Sequence, residues 1–256
     1  MIFEIATIFP DFFSSPLQEG IIRRAIAAGK IQVRIHNIRD WATDKHQMTD
    51  DRPFGGGEGM VMKPEPLAAC LAAIPKTTSQ SKVILLSPRG RLFSHPAAVR
   101  LAGMEQILFI CGRYEGVDQR FCNAYVDEEY SIGDFILSGG ELGAMVMLDA
   151  ITRLIPGVLG CSGSAANDTF SRNLLKHHQY TRPRSFAGME VPSELLTGNH
   201  AGIAEYRFLE SVSLTLERRP DLLTGARFSG QEVQLLKEKG MWRRIAGLLK
   251  QHGGSC

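Results

Sequence analysis

Three short segments hold residues whose types and spacing could do chemistry: "LLSPRGR" at 85–91, "CGRYEGVD" at 111–118 and "SIGDFILSGGE" at 131–141. Each follows a strand-like run, and ligands of α/β sheets bind at the carboxyl ends of strands. Each also combines glycine with polar or charged residues. Glycine lets bare backbone come close to a ligand, so together the three read as a backbone-lined pocket. In the third segment Ser138 and Glu141 have the S-x-x-E spacing of a capping box, which predicts a helix whose first turn holds Gly139 and Gly140. A cap alone requires neither two consecutive glycines nor a second glycine-bearing loop of mixed charge, "GRYEG".

Elements able to position such loops are visible around them. "IFEIATIF", "IQVRIHNI", "KVILLSP" and "QILFICG" read as strands, with "LQEGIIRRAIAAG" and "PEPLAACLAAI" as helices. This alternation over the first 155 residues predicts an α/β fold with a mostly parallel, helix-covered sheet. After Pro156 the texture changes to "PGVLGCSGSAANDTFS", which reads as a connection. Beyond it "EVPSELLTG", "AGIAEYRFLESVSLTLERRPDLL" and "SGQEVQLLKEKGMWRRIAGLLKQ" have helical spacing. The expected division is an α/β domain over 1–160, a flexible linker over 161–172 and a small helical domain over 173–256.

Composition narrows the classes. The 256 residues are 44% hydrophobic and 22% charged, a globular profile with material for two domains. Lysine plus arginine exceed the acids by only 29 − 27 = 2, so net charge neither demands nor excludes a nucleic-acid partner. Five cysteines without CxxC spacing argue against a disulfide framework or a zinc ribbon and for a reducing cytoplasm. The start "MIFEIATIFPDFF" carries Glu4 and Asp11 and lacks a basic leader, and no run reaches membrane-spanning length, so no membrane partner is expected. "RPFGGGEGM" breaks the GxGxxG spacing at Met60, and GxxxxGK[ST], HExxH and GxSxG are absent. His177 and His178 are adjacent rather than on one helical face, and no metal-ligand set is assigned.

At this point the strings become specific in combination. "LSPRGR", "CGRYEGVD", "SIGDFILSGGE", "RLIPGVLG", "YTRP" and "RRPDLL", in this order and spacing, resemble bacterial tRNA (guanine-N1)-methyltransferases of the SPOUT superfamily, essentially end to end. The resemblance implies a parallel sheet with a deep trefoil knot, a helical C-terminal domain that binds tRNA, and an obligate homodimer with active sites at the subunit interface. It also implies S-adenosylmethionine bound within the knot. Leu86, Ser87, Pro88 and Gly112, with Ser131, Ile132, Gly133, Asp134, Phe135, Ile136 and Leu137, match the family's cofactor loops. Gly139 and Gly140 would let backbone approach the cofactor while Ser138 and Glu141 cap the helix behind. Core packing is the alternative reading of Leu86, Ile132 and Leu137, and an adenine pocket needs the same apolar walls.

Guanine N1 carries a proton at neutral pH, and its removal pushes negative charge onto O6, so methylation there needs a base near N1 and a donor near O6. By resemblance Asp168 in "NDTF" is the general base and Arg153 in "AITRLIP" stabilises the developing charge. Local sequence alone offers Asp168 the role of N-cap to a helix starting at "TFSRNLL". Glu115 joins the cofactor set, and the family's dependence on Mg2+ makes it a candidate for placing an ion, an ion pair with Arg113 or Arg120 being the alternative. For tRNA the segment 171–185 gathers Arg172, Lys176, Arg182 and Arg184 with Tyr180, and "KEKGMWRR" adds Lys237, Lys239, Arg243 and Arg244. Solvated helix faces, and a core position for Trp242, are the alternatives. The chain departs from the family pattern at Glu58, where proline is usual, and at Lys176 and His177, where an acidic residue and a cysteine are common. The target implied is the guanosine immediately 3′ of the anticodon, nucleotide 37. A related knotted methyltransferase acting on another RNA nucleotide, and a non-catalytic RNA-binding protein, remain as alternatives.

Overall fold

Strands rich in β-branched and aromatic residues that are buried on both faces form parallel sheets between helices, and the first part of this chain is built so. The structure, a computed structural model, describes residues 1–76, 79–160 and 168–252. The chain divides into two compact units, Met1–Ser162 and Gly163–Cys256. In the first, β1 (Ile2–Thr7), β2 (Gln32–Asn37), β5 (Ser81–Leu92), β6 (Gln106–Cys111) and β7 (Glu128–Ser131) form a five-stranded parallel sheet in the order β2-β1-β6-β5-β7. Two short strands, β3 (Asp50–Asp51) and β4 (Val61–Met62), pair antiparallel outside it. Helices α1 (Gly20–Ala27), α2 (Pro64–Ala73), α3 (His95–Ala102), α4 (Gln119–Tyr125) and α5 (Glu141–Thr152) cover the two faces.

Each face has its own core. Phe3, Ile5 and Phe109 pack with Leu101 of α3 and Met147, Leu148 and Ile151 of α5, and the Phe3 and Phe109 rings stack with centroids 6.1 Å apart. On the other face Ala6, Leu85, Leu108 and Ile110 meet Leu67, Cys70 and Leu71 of α2 and Phe121 of α4. Each fully buried Leu, Ile or Phe contributes about 1.5–3 kcal/mol, so the central strands are held by side chains on both sides.

The sheet is irregular at one place. Tyr130 of β7 is paired with Leu86 and again with Arg91, so residues 87–90 leave the β5 ladder and bulge beyond it. Pro88, which cannot donate to a ladder, sits in that bulge. Gly90 brings the chain back so closely that a Cβ there would strike the backbone of Tyr130. The sequence reading placed "SPRGR" as a loop after a strand; instead it is the bulge of a strand that resumes.

In the second unit α6 (His200–Arg218), α7 (Gly230–Glu238) and α8 (Trp242–His252) gather around Val212, Leu216, Leu223, Leu236 and Ile245. The Asn199 side chain caps α6 by accepting from the Gly202 N–H at 3.2 Å, and Ser229 with Glu232 forms a capping box on α7. Gly240, at φ 73°, separates α7 from α8 within a run that reads as one helical segment. "EVPSELLTG" yields only a 3-10 turn over Ser193–Leu196, preceded by a hairpin of β8 (Ser185–Phe186) and β9 (Met189–Glu190). Trp242 takes the core alternative, its ring edge-on to Phe228 at 6.2 Å. Of the expected linker, 161–167 lie outside the described residues, whereas 168–172 form tight turns whose continuation, Leu174, is buried in the helical core. Among the described residues no helix is long and apolar enough to cross a membrane.

Candidate active site

Beside the bulge of β5 and at the carboxyl ends of β6 and β7 lies a cavity of about 450 Å³. Its walls are the β5 bulge with Leu86, Ser87 and Pro88, the loop after β6 with Gly112 and Glu115, and the loop after β7. From the last come Ser131, Ile132, Gly133, Phe135, Ile136, Leu137, Gly139 and Gly140. The structure thus brings together every expected cofactor residue except Asp134, which is exposed and does not line the cavity. Gly133, at φ 157°, turns the chain there, and the Phe135 ring lies over Gly133 in the space a Cβ would take, leaving Asp134 on the outside of the bend. The apolar run 132–137 is an irregular loop rather than a strand, because the β7 ladder ends at Ser131.

The two consecutive glycines line the cavity and also let neighbouring segments pack closely. A Cβ on Gly140 would lie 2.8 Å from Cys111 Cα and 2.9 Å from Leu86 Cβ, and one on Gly139 would run into the Arg113 guanidinium. Their missing side chains let three loops close on one another. The Gly140 N–H donates to the Gly112 carbonyl at 2.9 Å, which joins the second loop to the third.

The capping box expected at Ser138 and Glu141 does not form. Helix α5 starts at Glu141 with Gly140 as N-cap and no side-chain cap. Glu141 is instead buried, accepting from Thr7 Oγ1 at 2.8 Å and from Arg113 Nε at 3.2 Å. Arg113 Nη2 lies 2.9 Å from Oε2, close enough for an ion pair but out of line for a hydrogen bond. Arg113 also donates through Nη1 to the Ser138 carbonyl at 3.1 Å, and its Cζ lies 4.4 Å from the centroid of the Phe9 ring. Breaking a buried pair by removing one partner costs about 3–5 kcal/mol, so this pair pins the second and third loops to β1. The sequence offered Arg113 as a partner for Glu115, and nothing in it pointed to Glu141 or to Thr7, 134 positions from Glu141.

Glu115 is placed by its own backbone, whose N–H donates to the Met60 carbonyl at 2.9 Å, and its side chain lies against Gly59. The ion pairs weighed for it are taken elsewhere: Arg113 belongs to Glu141, and Arg120 to Asp118 at 2.8 Å. Neighbouring Tyr114 adopts φ 59°, a left-handed conformation unusual for a residue with a Cβ, which turns the loop over the cavity. Burial, then the charge of Asp50, raises the Tyr114 phenol above its ordinary value. Burial, reinforced by Glu141, pushes the Cys111 thiol well above its ordinary value, so Cys111 is a neutral core residue next to the cavity-lining Gly112. Among the described residues no group of three or more His, Cys, Asp or Glu is placed to hold a metal ion.

The two expected catalytic residues lie in different units. Arg153 closes α5 in helical conformation, its N–H donating to the Asp149 carbonyl at 3.1 Å. Asp168 sits in a turn of the second unit, its carbonyl accepting from the Ser171 N–H at 3.2 Å and from Ser171 Oγ at 2.7 Å. No helix follows it: Phe170 and Asn173 have φ of 75° and 54°, so the N-cap alternative for Asp168 is ruled out by backbone geometry. Lys176 Nζ lies 3.2 Å from Asp168 Oδ1. Several cations expected to meet RNA are already paired: Arg172 with Glu232 at 2.9 Å, Arg184 with Glu190 at 3.7 Å and Lys239 with Glu205 at 3.8 Å.

The family model described as tRNA (Guanine-1)-methyltransferase TrmD matches residues 1–225. A tRNA (guanine-N(1)-)-methyltransferase of Geobacter sulfurreducens is 54% identical over 92% of this chain and 96% of its own length. Proteins of the same name from Geotalea uraniireducens and Pseudomonas entomophila are 52% and 51% identical, covering 96% and 92% of this chain and 99% and 94% of their own lengths.

Proposed function

The chain belongs to the tRNA (guanine-1)-methyltransferase family, and from that premise we propose that it methylates N1 of the guanosine immediately 3′ of the anticodon, nucleotide 37 of tRNA. S-adenosylmethionine is the methyl donor the family implies. The observation that carries the reading is the cavity in which three backbone-rich loops converge at the carboxyl edge of the sheet. Its donor set fits the cofactor: Leu86, Ile132 and Leu137 supply apolar walls for an adenine, and the glycine-rich backbone supplies polar groups for ribose and the methionyl part. When bound, the donor offers an electrophilic methyl carbon on a sulfonium, and its S–CH3 bonding pair returns to sulfur on transfer.

Asp168 takes the N1 proton onto its carboxylate, which leaves the N1 electron pair to form the new N–C bond. Arg153 stabilises the negative charge that develops on O6. Glu115, at the cavity wall, is the one residue that would help to place Mg2+ in this reading, and with no group of three or more His, Cys, Asp or Glu placed to hold an ion among the described residues, substrate and water would have to supply the other ligands. Leu142 and Val146 of α5, about half exposed at 50% and 47%, together with exposed Phe9 and Phe12, support an obligate homodimer whose pocket is completed by Asp168 of the partner subunit. The trefoil knot that the family resemblance implies belongs, in this reading, to the first unit. The helical second unit, with its basic residues, is the tRNA-binding domain of this reading, and the buried thiols Cys70, Cys111 and Cys122 suit a reducing cytoplasm.

Mass spectrometry of nucleosides from unmodified tRNA, incubated with S-adenosylmethionine and the protein, tests the proposal. The expected product is N1-methylguanosine at position 37, and Asp168→Asn lowers its single-turnover rate by roughly two to four orders of magnitude, the range for removing a general base. A different methylated nucleoside, or none, overturns it.

A further inference from the structure

Asp168 is held by more than its own turn. The segment 168–176 folds back on itself: the Phe170 N–H donates to the Leu174 carbonyl at 3.1 Å, and the Lys176 N–H to Thr169 Oγ1 at 3.2 Å. That closed loop is fastened to the helical core at several points. Leu174 is buried, Leu175 donates its N–H to Thr215 Oγ1 at 2.9 Å, and Asn173 Nδ2 donates to the Gly225 carbonyl at 2.8 Å. Arg172 grips both carboxylate oxygens of Glu232, at 2.9 and 3.0 Å. The backbone beneath Lys176 is therefore fixed relative to the backbone beneath Asp168. Arg172 of the segment turns to Glu232, and His178 just beyond it lies 2.7 Å from Glu210, whereas Lys176 turns to Asp168.

We infer that Lys176 is a positioning residue for the reaction, its ammonium holding the Asp168 carboxylate in one orientation. This rests on the reading of Asp168 as the base. A proton acceptor must be aligned before the guanine arrives, and a cation 3.2 Å from one carboxylate oxygen fixes where that carboxylate points. The side chains are 37% and 33% exposed, so the lysine is reachable and its effect moderated by solvent.

The test separates a positioning role from a plain phosphate contact. Single-turnover methylation at saturating tRNA and S-adenosylmethionine is measured for the full-length wild type and for Lys176→Met, Lys176→Arg and Asp168→Asn, with tRNA affinity measured alongside. Expected is a fall of about tenfold in the single-turnover rate of Lys176→Met, smaller than the hundredfold cost of a misplaced reacting group because the pair is partly solvated. Lys176→Arg recovers most of that loss. A Lys176→Met protein that keeps the wild-type rate and loses only tRNA affinity overturns the inference, as does Lys176→Arg being as slow as Lys176→Met. Asp168→Asn tells the two levels apart. If it remains as active as wild type, the base assignment fails and the inference with it; if it is inactive while Lys176→Met is normal, the inference alone fails.

Discussion

Two glycines of the candidate site should respond differently to the same added methyl group. Both Gly140 and Gly143 line the cavity, and both face Leu86. At Gly140, with φ −77° and ψ −8°, alanine meets no backbone penalty, but its Cβ would lie 2.8 Å from Cys111 Cα, 2.9 Å from Leu86 Cβ and 3.1 Å from the Gly112 nitrogen. Those atoms belong to, or hang directly from, the central strands and cannot yield without moving the loops. Overpacking of this kind costs about 1–3 kcal/mol. For a unit of this size each kcal/mol lowers the melting temperature by about 2–4 °C, so Gly140→Ala should lose about 2–12 °C. At Gly143 the nearest atom is Leu86 Cδ1 at 3.1 Å, the end of a side chain that can swing, and alanine in a helix interior gains about 1 kcal/mol over glycine. Gly143→Ala should therefore melt within about 4 °C of wild type. Calorimetry on the transition of the first unit reads both, and titration with S-adenosylmethionine should show weaker binding by Gly140→Ala. A Gly140→Ala protein that melts with wild type, or a Gly143→Ala protein that loses as much as the measured Gly140→Ala, would show that the loops are not packed on bare backbone.

Acid should weaken the anchoring of the Asp168 loop through Glu232. Burial opposes its ionisation, but the Ser229 N–H and the Arg172 guanidinium hold its carboxyl below the ordinary 4.5. A depressed folded value means that the stabilisation is whole above about pH 4.5 and fades as pH falls through the lower folded value, so wild type should lose more stability than Glu232→Gln on acidification below that point. Parallel unfolding curves for the two proteins would refute this. For the shared site, Asp168→Asn mixed with Ser87→Trp, whose indole fills the cavity, should regain methylation as heterodimers carrying one intact site. No recovery, with subunit exchange demonstrated, would place a complete site within one chain.

Much of the architecture is written locally. The β-rich runs, the helix signals and the change of texture after Pro156 follow from side-chain periodicity and turn chemistry, which act over a few residues, and the three glycine-bearing loops stood out for the same reason. The expected cofactor residues, taken from resemblance, converge in space apart from Asp134, whose outward turn depends on the conformations of Gly133 and Phe135. What the sequence could not settle are choices between partners. Glu141 was spaced to cap its own helix, yet burial at the end of the sheet leaves its carboxylate needing Arg113 and Thr7, and only the fold brings Thr7 to it. Gly139 and Gly140 were legible as positions needing bare backbone; that neighbouring loops make the demand was not, because close approach between segments is a property of packing. Local spacing equally allowed Asp168 to cap a helix, and left-handed residues at Phe170 and Asn173, with Leu174 drawn into the helical core, turned the segment back so that Lys176 meets the carboxylate. The sequence by itself determined which residues are available and which elements carry them. The tertiary structure decided which charge meets which, because burial makes an unpaired charge costly and the fold limits the partners within reach.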